Sequence, residues 1–372
     1  MKKAVLIPDS FKGTMTSREV CQIMEKSILR HHPSCAVDSV PIADGGEGSI
    51  DCFITALGGR RVAVPCQGPF GEEMMGHFGL LDDGTAVVEM AVCSGLPLVE
   101  GRRDPEATTT FGVGQLILAA AEMGCRTILV GLGGSCTTDG GCGAAAAAGV
   151  RFLDAEGRAF VPTGGTLCRI ADIDRSSLSS VLSQVSIVTM CDITNPMHGT
   201  NGAAYIFAPQ KGADADGVKR LDEGLKHLDG VIQEKLGLAV ADIPGAGAAG
   251  AMGAGMLAFF GSTLRSGIDT VLEITDFAAR IADADVIFTG EGRIDSQSVQ
   301  GKALSGIAAA AKKQGKPVIA LVGADDSTPD IYDMGITAVF SINRRAEDLA
   351  ISRHKSRDNL AATMDNILRI WK

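Results

Sequence analysis

Five short stretches of this chain follow an apolar run with a carboxylate, glycines and polar side chains. In Pro8-Asp9-Ser10-Phe11-Lys12-Gly13, Asp9 and Lys12 offer opposite charges, and Ser10 can hydrogen-bond a phosphate or a substrate oxygen. A turn shaped by Asp9 and Ser10 is the alternative. Ala43-Asp44-Gly45-Gly46-Glu47-Gly48-Ser49 opens onto a helical segment, Ser49 to Leu57. Its glycines let successive N–H groups converge on an anion, and Asp44 and Glu47 add carboxylates suited to a divalent metal. Gly131 to Gly143, GLGGSCTTDGGCG, sits between a strand and an Ala-rich helix. There Gly133, Gly134, Ser135, Thr137 and Asp139 form an open polar loop able to cradle phosphates.

In Cys191 to Ala203, Asp192 directly follows an apolar run and is a candidate general base or metal ligand. Asn195 is a partner for a hydroxyl or a carboxylate, while His198 reads as a solvated loop side chain. Val286 to Leu304 carries Glu291, Arg293 and Asp295 around Gly290 and Gly292, at the expected end of a buried strand. That pattern suits a site needing both signs of charge. No Gly-x-Ser-x-Gly elbow supports an acyl-transfer hydrolase, no Gly-x-Gly-x-x-Gly follows the first strand, and no Gly-Lys-Ser/Thr closes a Walker A loop. The inventory fits phosphoryl transfer, in which positioning and charge neutralisation dominate.

The elements that must hold these stretches are short Val- and Ile-rich runs alternating with helical patterns, which indicates α/β architecture with a largely parallel sheet. Arg18 to Arg30 repeats Val20, Ile23, Met24, Ser27 and Ile28 on one face, with Thr16 or Ser17 as its cap. Ala303 to Gln314 is a second helix, ended by Gly315 and Pro317. Between Arg61 and Ala91, turn signals at Gly68-Pro69-Phe70-Gly71 and Asp82-Asp83-Gly84 separate three strand-like runs, a β-meander. This change of pattern places an outer α/β domain at 1–65 and 280–372, with a mixed α/β domain, 66–279, inserted into it. Lys211 to Asp214 reads as surface. Gly245 to Phe260 is too short and too rich in Gly and Ala for a membrane span, and reads as a loop feeding a tightly packed helix.

A formal net charge of −10 without any basic block disfavours nucleic acid and anionic membranes as partners. Aromatic residues, at 4%, are too few for base-stacking platforms. Ten cysteines without a Cys-x-x-Cys pair lack structural zinc spacing and read as free thiols of a cytoplasmic protein. The four-residue apolar run after Lys3, broken by Pro8, reads as a first strand and not as a signal peptide.

PDSFKGTMTSREV, PIADGGEGS, GLGGSCTTDGG, CDITNP, PGAGAAGAMG and TGEGRIDSQSVQGKA follow one another as in type I bacterial glycerate kinases, and the chain resembles that family over essentially its whole length. The resemblance implies transfer of the γ-phosphoryl group of ATP, with Mg²⁺, to D-glycerate, giving 2-phosphoglycerate in the branch that looks most similar. It also implies two α/β domains, one flavodoxin-like with a parallel sheet and one mixed-sheet, restriction-endonuclease-core-like. Carried onto this chain, either Asp192 or Asp44 deprotonates or orients the glycerate hydroxyl. Lys12 and Arg293 neutralise the glycerate carboxylate or the transferring phosphoryl. Asp9, Ser10, Gly45, Gly46, Glu47, Asn195, Glu291 and Asp295 line the substrate site, and Gly133, Gly134, Ser135, Thr137 and Asp139 meet the nucleotide. Asp44, Asp192 and Glu291 are the candidate metal ligands. Phosphorylation at position 3, a different small hydroxy acid, and non-catalytic binding of a sugar acid or nucleotide are the alternatives. The expected partners are small molecules, and a homo-oligomer is compatible with the sequence.

Overall fold

A computed structural model describes residues 1–42, 45–46, 48–294, 303–326 and 328–371. In chain order the strands are β1 (Lys3–Leu6), β2 (Ala36–Ser39), β3 (Arg60–Gln67), β4 (Glu73–Leu80), β5 (Ala86–Glu89), β6 (Thr127–Gly131) and β7 (Arg151–Leu153). They continue as β8 (Ala159–Phe160), β9 (Asp172–Asp174), β10 (Ser186–Met190), β11 (Thr263–Arg265), β12 (Val286–Ile294), β13 (Val318–Asp325) and β14 (Ala338–Ser341). The chain divides into two compact units, one of residues 1–43, 51–58 and 267–372, the other of 44–50 and 59–266. Strand pairing explains where the divisions fall. β3 pairs along its whole length with β4 and goes with the second unit, whereas Arg280 bonds to Asp38 and to the Ala56 carbonyl inside the first.

The first unit carries a parallel sheet in the order β2-β1-β12-β13-β14. Renumbered within the unit this is 2-1-3-4-5, the flavodoxin-like order. Its central strands carry apolar runs because helices cover them: Ala4, Leu6, Val286, Phe288 and Leu321 are buried in one cluster with Val20, Met24, Ile28, Leu360, Met364 and Ile367. Those partners come from the helices Ser17–His31 and Ser356–Ile370. The first starts where the sequence signals it. Thr16 Oγ1 accepts from Glu19 N at 3.2 Å, and Glu19 Oε2 accepts from Thr16 N at 2.8 Å, a reciprocal cap. One expectation needs correcting. β12 does not end at Thr289 but runs through Gly290-Glu291-Gly292-Arg293 to Ile294, because β13 continues beside it to Asp325.

The second unit has a mixed sheet, β11-β10-β6-β5-β4-β3, and a small antiparallel sheet, β8-β7-β9. The meander is present, with β3, β4 and β5 antiparallel, and β5, β6, β10 and β11 are mutually parallel. Helix Ala215–Leu236 begins at Asp214, whose Oδ1 accepts from Gly217 N at 2.7 Å, and stops at Gly237 in the left-handed conformation. Gly245 to Phe260 becomes a turn followed by helix Ala248–Phe260, with Ala249, Gly250 and Ala251 all at positive φ. Among the described residues no helix is long and apolar enough to cross a membrane.

Helices Phe111–Glu122 and Cys142–Ala147 flank the loop after β6 and touch main chain to main chain. A Cβ at Gly114 would overlap the Ala144 carbonyl oxygen and stand 2.7 Å from its Cα. Gly114→Ala is therefore expected to destabilise the protein by about 1–3 kcal/mol through overpacking, read as a lowered urea midpoint. An unchanged midpoint would mean that these helices can separate at no cost.

Candidate functional site

In the first unit the strand order reverses between β1 and β12, the place where open α/β sheets bind ligands beyond their C-terminal ends. Asp9 N donates to Gly290 O at 2.8 Å, which holds the Pro8–Lys12 turn beside β12. Ser10 N closes onto Asp9 Oδ1 at 2.5 Å. Glycine is required at position 290, where a Cβ would overlap the Leu321 carbonyl oxygen, whereas one at Gly292 would make only ordinary contacts, 3.7 Å from Phe11 Cα and Lys12 N. This edge thus collects Asp9, Ser10, Lys12, Glu291 and Arg293. Lys12 is exposed, Glu291 half-buried, and exposed Arg293 pairs with Asp326 at 2.8 Å. Such a solvent-facing pair is worth only about 0.2–1 kcal/mol, so an anionic ligand can displace Asp326 cheaply.

In the second unit Glu89, Gly131, Met190 and Arg265 lie in register at the ends of β5, β6, β10 and β11. The Gly45–Gly46 turn rests on this edge. Gly133 N donates to Gly45 O at 2.9 Å, and a Cβ at Gly131 or Gly133 would overlap the Gly45 oxygen or Gly46 Cα. Buried Glu89 accepts from Ile50 N at 2.5 Å and Gly48 N at 3.2 Å, so its carboxylate satisfies the amino end of helix Ser49–Leu57. The motif reading missed Glu89, although the run Ala86-Val87-Val88-Glu89 ends on a carboxylate as the others do. Asp192 is exposed two residues past β10. Asn195 Nδ2 donates to Asn201 O at 2.8 Å and its carbonyl accepts Gly247 N at 2.9 Å, so this side chain shapes its own loop. His198 is no solvated side chain: its Nε2 lies 3.3 Å from Asp229 Oδ2, and it is half-buried.

The loop after β6 brings its five candidates together but turns them differently. Gly134 is exposed and Gly133 partly so, whereas Ser135, Thr137 and Asp139 are buried behind them. Asp139 is the hub. It accepts from Thr110 N at 2.7 Å, Thr110 Oγ1 at 2.8 Å, Gly141 N at 3.1 Å and Gly143 N at 3.2 Å. Burial pushes its carboxyl above the ordinary range, and these donors pull the other way by favouring the ionised form. Thr108 Oγ1 donates to Cys136 O at 3.1 Å, and Ser94 Oγ to Thr109 O at 3.1 Å, so the Thr108–Thr110 triplet ties the loop to its surroundings. Gly250 approaches the Thr137 carbonyl so closely that no Cβ fits, as expected for a stretch built to pack its backbone.

Lys211 overturns its reading as surface. It is 2% exposed, and Nζ donates to Ser135 Oγ at 2.9 Å and to Thr137 O at 2.6 Å. No local pattern marks it, because only folding carries the Pro209–Lys211 turn under the glycine loop. Asp44, Glu47 and Asp295 lie outside the described residues. Among those described, no group of three or more His, Cys, Asp or Glu residues is placed to hold a metal ion. Asp139→Asn puts an amide NH₂ against backbone N–H donors. It is expected to cost about 1–3 kcal/mol for the unsatisfied donor alone, measured by urea unfolding. A midpoint equal to wild type would show that Asp139 does not organise the loop.

The glycerate kinase family model matches residues 4–372. A glycerate kinase of Bacillus cereus is 42% identical, the match covering 100% of this chain and 98% of that protein. The glycerate 2-kinase of Escherichia coli K12 is 43% identical, with 98% and 97% covered. A solved structure of a proposed glycerate kinase 2 from Salmonella typhimurium LT2 superposes with a TM-score of 0.88 at 39% identity, covering 99% of this chain and 97% of that one. With the flavodoxin-like sheet and the glycine-packed loops in place, these matches establish that the chain belongs to the glycerate kinase family.

Proposed function

We propose that this kinase transfers the γ-phosphoryl group of ATP to D-glycerate and releases 2-phosphoglycerate. The observation that carries this reading is the glycine-on-glycine edge of the second unit. Gly133 and Gly134 face solvent there, beyond parallel strand ends, in a chain whose relatives bear the name glycerate kinase. In the transfer the glycerate hydroxyl oxygen bonds to the γ-phosphorus as the bridging bond to ADP breaks, and the hydroxyl proton passes to Asp192 or Asp44. With a loose transition state, orienting the hydroxyl matters more than basicity. Lys12 and Arg293 meet the carboxylate or the moving phosphoryl, and Arg293 can do so with two parallel hydrogen bonds. Asp9, Ser10, Asn195, Glu291, Gly45 and Gly46, with Glu47 and Asp295, complete the substrate contacts.

Magnesium fits this donor set. It usually retains waters and phosphate oxygens and needs only one or two carboxylates from the protein. Asp192 is exposed and Glu291 half-buried at their respective strand edges, and with Asp44 they are the candidates to hold it. The ion would supply charge neutralisation on the phosphate oxygens. Free thiols at all ten cysteines suit the reducing cytoplasm.

Coupled ADP detection with D-glycerate tests the assignment. Asp192→Asn is expected to lower kcat/KM by about 10²–10⁴-fold and Arg293→Ala by about tenfold or more, with melting temperatures near wild type. Folded variants at wild-type efficiency would remove both residues from the site. The position phosphorylated is read separately. Product that feeds enolase without added mutase is 2-phosphoglycerate, whereas a strict need for mutase indicates the 3-isomer. Turnover only with another hydroxy acid would reassign the acceptor.

A further inference from the structure

Lys211 is a buried cation that the roles above leave unused. Its acceptors among the described residues are neutral oxygens, Ser135 Oγ and Thr137 O. Asp139, the carboxylate of the same loop, already takes donors from Thr110, Gly141 and Gly143 on its two oxygens. An ammonium has three N–H donors, of which two are used here. In the same loop, the Thr137 and Thr138 hydroxyls are buried and lack hydrogen-bond partners among the described residues. Keeping a charge in such a place costs several kcal/mol per ion unless a counter-charge offsets it. A methionine would fill the space and avoid that penalty. A positive charge retained beneath an exposed glycine turn makes physical sense if an anion comes to the other side of the turn.

We propose that Lys211 is a positioning residue for the nucleotide: its ammonium holds Ser135 and the Thr137 carbonyl, and lends positive potential to the Gly133–Ser135 turn that receives the polyphosphate. This rests on the ATP-dependent reading above. Lys211 does not touch the ligand, since the turn lies between them. It acts through the shape of the loop and through its field, which the low-dielectric interior screens weakly. Ser135 is also fixed from its other side, where it bridges Gly95, and Leu96 N donates to Gly134 O at 2.9 Å. The turn is therefore rigid, and a charge behind it has a constant effect on whatever binds in front.

Titration separates this role from a merely structural tie. Burial pushes the Lys211 amine down to about 8, against the opposing pull of Cys136 and Asp139 from the loop. From the preceding segment the Arg103 guanidinium donates to Gln210 O at 3.1 Å. Among the described residues, Cys136 and Asp139 are thus the titratable groups acting on it, with Arg103 bonded to the neighbouring main chain. The sign follows from the depressed value. The folded protein gains stability from this group as pH rises from about 8 towards 10.5, because the unfolded chain still holds the proton. Nucleotide affinity moves the opposite way, since the positive charge is lost over the same range. A structural tie alone predicts no such opposition.

Steady-state kinetics in ATP at saturating D-glycerate, from about pH 6.5 to about 9.5, with wild type, Lys211→Arg and Lys211→Met, provide the test. In wild type the KM for ATP is expected to rise about tenfold across a midpoint near 8, with kcat changing less. Lys211→Met should start with a KM raised by about tenfold or more and show no further rise, and Lys211→Arg should keep a low KM at high pH. Parallel profiles for wild type and Lys211→Met, or a Met variant within about twofold of wild type at neutral pH, would overturn the proposal. If neither variant folds, the wild-type profile decides: a KM for ATP flat across this range overturns it, and a rise centred near 8 supports it. Absence of turnover by wild type would instead refute the kinase reading. Calorimetric titration of wild type with ATP over the same pH range then decides the role of Lys211: affinity that falls through a midpoint near 8 supports it, and flat or absent binding overturns it.

Discussion

The close approach of one main chain to another, at positions where no side chain intervenes, is the constraint on which the rest of the second unit depends. Gly131 and Gly133 lie against Gly45 and Gly46, Gly250 against Thr137, and Gly255 against Gly140. Glycine is costly to order on folding, and the cost is met by hydrogen bonds that form only at this separation, such as Gly133 N to Gly45 O and Gly140 N to Gly250 O. Main chain offers donors at fixed positions, whereas side chains would fill the space in front of the turn. Close packing therefore holds the loop in one arrangement with its glycine turn uncovered by side chains.

Charges buried beneath this packing each have neutral hydrogen-bond partners among the described residues. Glu89 takes N–H groups at a helix start, Asp139 takes three N–H groups and a threonine hydroxyl, and Lys211 takes a hydroxyl and a carbonyl. In a medium that screens poorly, such bonds are strong and an unmet one is expensive. These groups accordingly hold the loops in one arrangement. On the exposed edge of the first unit the balance is reversed, and the Arg293–Asp326 pair holds its geometry weakly. Rigid loops and exchangeable surface charges are both what phosphoryl transfer requires, since its catalysis is mostly positioning.

Much of this was legible in the residues. Thr16 or Ser17 marks a helix start through local chemistry, and two turn signals separate the meander strands, so both were readable without tertiary information. Asp9, Asp192 and Glu291 stood out because a carboxylate just past an apolar run is a local pattern. Lys211 and the Thr108–Thr110 triplet did not. Their roles arise from contacts with residues distant in the chain, for example the 76 positions between Lys211 and Ser135.

The sequence by itself determined the α/β class, the strand-end position of the candidate site residues and the family, because periodicity, turn residues and motif order are properties of neighbouring residues. Only the tertiary structure decided which members of a motif face solvent. Ser135, Thr137 and Asp139 lie in a polar run between two glycine pairs, which suggests equal access, yet Asp139 is fully buried and Gly134 exposed. It also decided how far β12 runs, since an extended strand ends where its neighbour stops pairing and not where its own apolar residues stop. In both cases the deciding partner lies far along the chain.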